Sequence, residues 1–110
     1  MASEISVSCS AAPGVESAAA RQACDEFLDY LQQNLPDRSF RSAEDGLPRI
    51  ELTVTRANKH GIGFDVSWIA ADGAARPGVP LSTTFYDRES DPVLRRMFFG
   101  TFLQHNPIPL

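Results

Sequence analysis

Two runs of strict alternation between Arg49 and Ile69 constrain this chain more than any other feature. Ile50, Leu52 and Val54 alternate with Glu51, Thr53 and Thr55. After the break Ala57-Asn58-Lys59-His60-Gly61, a second run sets Ile62, Phe64, Val66 and Trp68 against Gly63, Asp65 and Ser67. A period of two is what a strand shows when one face meets a core and the other meets water. Two such runs around an Asn- and Gly-bearing break predict an antiparallel hairpin. The hairpin carries most of the branched and aromatic apolar surface in the middle of the chain, so helices on either side are expected to pack on it. Phe27, Phe64 and Trp68 are the side chains whose loss should cost most.

The flanking sequence supplies those helices and more strand. Ile5, Val7 and Cys9 alternate with Ser6, Ser8 and Ser10, which predicts a short first strand with its serines outward. Pro13-Gly14 marks a connection. Ala20, Cys24, Phe27, Leu28, Leu31 and Leu35 then recur at helical spacing, in a helix capped by Ser17 or entered slightly earlier and stopped by Pro36. Ser39-Phe40-Arg41 reads as a short edge strand. Ala70 to Pro80 holds Asp72-Gly73 and Arg76-Pro77-Gly78 and reads as a loop rather than a tight turn. Leu81, Thr83 and Phe85 alternate with Ser82, Thr84 and Tyr86 in a last strand. Asp91 as N-cap and Pro92 at the first helical position open a helix that runs to about His105. Residues 105–110 contain two prolines and form an extended tail.

The order is β-α-(β)-β-β-β-α. It predicts a two-layer α+β sandwich: a mainly antiparallel sheet of three to five strands with two helices packed on one face. At 110 residues, 1–110 is expected to be a single domain with one core.

Charge and hydropathy narrow the function classes. No apolar run approaches the roughly 18 residues a membrane helix needs, so no membrane span is expected. The opening Met-Ala-Ser-Glu passes straight into the first alternation, so no signal peptide is read in the chain, although one could have been removed. Residues 1–48 carry eight acids against three bases, and residues 49–110 seven bases against six acids. Phosphate recognition usually shows a basic stripe, and none is present. Arg95 and Arg96 are the only adjacent bases, with Asp87, Glu89 and Asp91 close before them.

Few residues offer chemistry. Cys9 shares strand parity with Ile5 and Val7, and Cys24 lies in the apolar stripe of the first helix. A helix folded back over its preceding strand would bring them together in a disulfide and imply an oxidising compartment, periplasmic or secreted rather than cytoplasmic. The alternative is a pair of buried free thiols, which behave as small apolar side chains. Two cysteines with two scattered histidines do not make a zinc site, so no metal is expected. His60 lies in the hairpin turn, and His105 lies where a helix C-terminus favours a protonated imidazole. Asp25, Glu26 and Asp29 lack the loop of a calcium site. Gly61-Ile62-Gly63 lacks the strand-loop-helix context of a dinucleotide fingerprint, so no cofactor is expected. No nucleophile accompanies the histidines, and no catalytic residue is assigned.

The last helix carries a broader apolar arc than one sheet-facing stripe needs: Val93, Leu94, Met97, Phe98, Phe99, Phe102 and Leu103. If Leu94, Phe98 and Phe102 face the sheet, Phe99 and Leu103 either pack on the first helix or form a partner-binding patch with Ile108 and Leu110 of the tail. The loop Ala70–Pro80 is a second candidate surface. An edge strand, either Ile5–Ser10 or Leu81–Tyr86, could pair with a second copy.

Three functional classes follow. The first is a non-enzymatic protein-interaction or accessory module, exported and disulfide-stabilised, whose partner is another protein or itself. The second is an intracellular adaptor or nucleic-acid module. The order after the first strand resembles, in topology alone, the double-stranded-RNA-binding fold, which implies a histidine in a hairpin loop, as at His60, and a lysine-rich start to the last helix. Here that helix starts Asp91-Pro92-Val93-Leu94, with only Arg95 and Arg96 to follow. The third is a small enzyme using His60 with an acid such as Asp65.

Overall fold

The computed structural model describes residues 3–86 and 89–109. Its elements run β1 (Ser3–Ala11), α1 (Ser17–Asn34), β2 (Arg38–Ser42), β3 (Arg49–Asn58), β4 (Gly61–Ile69), β5 (Ala75–Pro77), β6 (Leu81–Thr84) and α2 (Pro92–His105). The expected α+β architecture is present. The strands form one sheet in the order β2-β1-β3-β4-β5, with β6 also paired to β4. Because β3 occupies the whole of one flank of β4, β5 and β6 share the other.

The sheet is mixed, with one strand more than the sequence predicts. The β3–β4 hairpin is antiparallel, and its register sets Ile50 opposite Trp68, Leu52 opposite Val66 and Val54 opposite Phe64. A bulge between Val54 and Arg56 marks where the first alternation ends. β1 is parallel to both β2 and β3, since α1 is a crossover that carries the chain back to the starting end of the sheet. Ile5–Ser10 therefore lies in the sheet interior and is not an edge. The serine face is not wholly outward either. Ser6 is buried, with its N–H donating to the Pro48 carbonyl at 3.0 Å. Gly46 lies over it at φ +98°, and a Cβ there would sit 2.6 Å from Ser6 Oγ. Both the positive φ and the close approach demand glycine.

Ala70–Pro80 is more ordered than a loop. The Gly73 N–H donates to Ala70 O, and Ala70 N–H donates to Ala74 O. A tight turn thus sends β5 back along β4. Periodicity could not reveal a three-residue strand containing a proline.

The core is a set of rows running across the sheet. Val7, Ile50 and Trp68 make one, and Cys9, Leu52 and Val66 the next. Val54, Phe64 and Leu81 continue toward β6. Ala20, Ala23, Phe27 and Leu31 of α1 and Phe98, Phe99 and Phe102 of α2 are buried over them. Phe64 touches aromatic rings of both helices, which places both on one face of the sheet. Glu16, rather than Ser17, occupies the N-cap of α1, without a side-chain cap bond. Asp91 caps α2 by accepting from Leu94 N–H at 2.9 Å, with Pro92 at the first helical position.

The tail begins with an anchor that sequence reasoning missed. Asn106 is 3% exposed. Its Oδ1 accepts from Val79 N–H at 2.6 Å, and its Nδ2 donates to Val79 O at 2.9 Å and to Phe102 O at 3.2 Å. One carboxamide so fastens the lead into β6 to the end of α2. Asn106→Leu leaves both Val79 backbone groups unpartnered and is expected to cost about 1–3 kcal/mol in urea unfolding. A change below about 0.5 kcal/mol would show that the Val79 groups find other partners.

Candidate interaction surfaces

Cys9 and Cys24 are joined in a disulfide across 6.3 Å between Cα atoms, within the span such bridges require. β1 presents Cys9 toward α1, and the helix turns Cys24 back to meet it. Both are half-buried at the edge of the core. They line a cleft of about 490 Å³ that also carries Arg21, Asp25 and Glu44.

Of the candidate partner residues, Phe99, Leu103 and Ile108 are among the described residues. Phe99 is fully buried among the rings of Phe27, Tyr30, Phe64 and Phe98. It packs between α1 and the sheet. Leu103 and Ile108 are half-buried against the core. Leu110 lies outside the described residues. The large apolar side chains of α2 that meet solvent are others: Val93 and Met97 are 64% and 65% exposed. Helical spacing could place both residues on α2 but could not say which side of its arc the sheet would take.

The polar candidates are also separated. His60 sits in the β3–β4 turn, exposed, with its N–H donating to Asn58 Oδ1. Asp65 is five residues along β4 and accepts from Val66 N–H. Strand rise puts about 16 Å between them. The ring of His105 donates through Nδ1 to Thr101 O at 3.0 Å, a local C-terminal helix contact. Glu26 is engaged by Arg95 at 2.5 Å and 2.9 Å, and Arg96 bonds Gln33 and lies over the Tyr30 ring. Both arginines are thus occupied by α1. Among the described residues no three His, Cys, Asp or Glu side chains converge as metal ligands. None of the described helices is long and apolar enough to cross a membrane. The topological likeness to the double-stranded-RNA-binding order ends at the sheet, since β1 separates β2 from β3.

The two edges of the sheet differ. At β2, Gln32 of α1 reaches the outer side of the strand. Its Nε2 donates to Arg38 O, and its Oε1 accepts from Phe40 N–H, each at 2.9 Å. One carboxamide thus takes the place of a neighbouring strand. At the other edge, Phe85 N–H donates inward to His60 O. Backbone groups alternate along an antiparallel strand, so those of Thr83 and Leu81 also face β4 while those of Ser82 and Thr84 face out. Among the described residues no strand pairs with that outer side.

Beneath the open edge, β6 and α2 enclose a groove of about 480 Å³ lined by Leu81, Phe85, Leu94, Met97 and Thr101, among others. None of the described residues that line it is charged. A third cavity, of about 440 Å³ between α1, the β3–β4 turn and α2, carries Glu16, Lys59 and Arg95.

No protein-family model matches the chain, and no curated protein matches it by sequence. Solved structures do match its fold. A PelC dodecamer from Paraburkholderia phytofirmans superposes with a TM-score of 0.73 at 14% identity, over 93% of this chain and 86% of that one. A variant of the same dodecamer gives 0.72 at 11% identity, over 98% and 88%. A structure described as an uncharacterized protein gives 0.60 at 12% identity, over 90% and 86%. At these identities the likeness is one of fold.

Proposed function

We propose that this chain is a non-enzymatic building block that works in an oxidising compartment, periplasmic or secreted, and whose partner is further copies of itself. The observation that carries the reading is the match, along nearly the whole chain, to subunits of PelC dodecamers. A fold used in a many-copy assembly supports self-association here. The Cys9–Cys24 bridge supports the compartment, because glutathione and thioredoxin keep such bonds rare in the cytosol. The separation of His60 from Asp65 and the engagement of Arg95 and Arg96 with α1 favour this reading over an enzyme or a nucleic-acid module.

Sedimentation velocity of the oxidised chain tests the assembly. A species at a multiple of the 12.0 kDa chain mass is expected. A single species at that mass across the concentration range would overturn the self-association reading. Alkylation without reductant tests the compartment. No label on folded or denatured protein is expected, and two labels on denaturation would remove the support for export.

A further inference from the structure

We propose that the β6 edge and its groove form a two-fold contact between copies of this chain. The two β6 strands pair antiparallel across the axis, and Tyr86 and Met97 of each copy enter the groove of the other. This rests on the self-association reading above and assigns its surface.

Three observations converge on it. First, the two edges of the sheet differ. Gln32 bonds Arg38 O and Phe40 N–H on the outer side of β2, whereas Ser82 and Thr84 turn their backbone groups toward any incoming strand. Antiparallel pairing of a strand with its own copy satisfies both sets at once. Second, the patch suits its own image. A two-fold axis sets like charge near like charge, and none of the described residues lining the groove is charged, in a chain that is 22% charged. Third, knob and hole lie in one place. Among the described residues the two most exposed large apolar side chains, Tyr86 at 81% and Met97 at 65%, both line this groove. A contact between identical patches needs such self-complementarity. Pairing β6 with its copy also continues the sheet, so the two α2 helices meet on the same face and close the groove from above.

The test compares the oxidised wild type with Met97→Glu, Ser82→Pro and, as a surface control, Ala18→Glu, by sedimentation velocity over a concentration series. Far-UV circular dichroism and urea midpoints establish that each variant is folded. Met97→Glu sets two carboxylates against each other across the axis. Ser82→Pro removes an outward N–H while leaving the bonds from β6 to β4, which come from the alternate residues. Each is expected to weaken association by about tenfold or more and to drop the mass to half or less, while Ala18→Glu leaves it unchanged. If the wild type assembles and both groove variants assemble as tightly, the surface is wrong and self-association stands. If the wild type is a 12.0 kDa monomer at every concentration, both ideas fall. A monomer that binds an apolar dye, and loses it on Met97→Glu, would reassign the groove to a small apolar ligand.

Discussion

Phe64→Ala is expected to lower the free energy of unfolding by about 3–5 kcal/mol. The side chain is fully buried, and its ring meets four others: Phe27 at 5.3 Å, Phe98 at 5.3 Å, Phe99 at 5.7 Å and Phe102 at 5.5 Å. Those rings come from both helices, so no single element can relax to fill the space. The cost includes the lost transfer energy, the cavity left behind and the lost edge-to-face and stacked contacts. Domains of this size are stable by about 5–15 kcal/mol in total, so the variant should populate unfolded chains at modest urea. The measurement is a urea titration followed by tryptophan fluorescence. A lowered midpoint with an unchanged slope supports the argument. A loss under about 1 kcal/mol would mean that α2 collapses onto the sheet and that the cluster is not the rigid centre of the core. Phe98 touches Phe64 and lines the β6 groove, so Phe64→Ala is unsuitable for testing assembly, and solvent-exposed Met97 is the better probe.

Removing the disulfide is the second large effect. Cys9 and Cys24 are separated by 15 residues, and closing a loop of that size stabilises the native state by about 3 kcal/mol in the chain-entropy model. Cys24→Ser, or wild type in dithiothreitol, should therefore unfold at lower urea than the oxidised protein. The fold itself should survive, because α1 is also held through Ala20, Ala23, Phe27 and Leu31. Near-native far-UV circular dichroism with a lowered midpoint is the expected pair of results. Coincident curves with and without reductant would show that the bridge contributes no stability, and would weaken the case for an oxidising compartment.

Much of this fold was legible because its signals are local. The alternations at Ile50–Val54 and Ile62–Trp68 specify a hairpin whatever surrounds them, since period two has one solution when a single face is apolar. Asp91-Pro92 specifies a helix start through one hydrogen bond and one fixed φ. The pairing of Cys9 with Cys24 was visible as parity on a strand and a stripe on a helix, and the structure supplied the distance. The candidate partner surface was less legible. Phe99 and Met97 are two residues apart on one helix and both are apolar. One is fully buried and the other is 65% exposed, and nothing in their spacing separates them.

By itself the sequence determined the elements other than β5, the apolar face of the β3–β4 hairpin, the helix limits set by Pro36 and Asp91, and the two cysteines able to meet. These depend on residues within a turn or a few positions of one another. Only the tertiary structure decided that β1 lies inside the sheet, that Gln32 closes one edge while β6 leaves the other open, and that Asn106 ties α2 to the lead into β6. Each joins groups distant along the chain, from eight residues between Gln32 and Phe40 to 27 between Asn106 and Val79. Such contacts carry no local periodicity. They exist because the two helices, packing their apolar faces on the sheet, bring those groups within hydrogen-bonding reach.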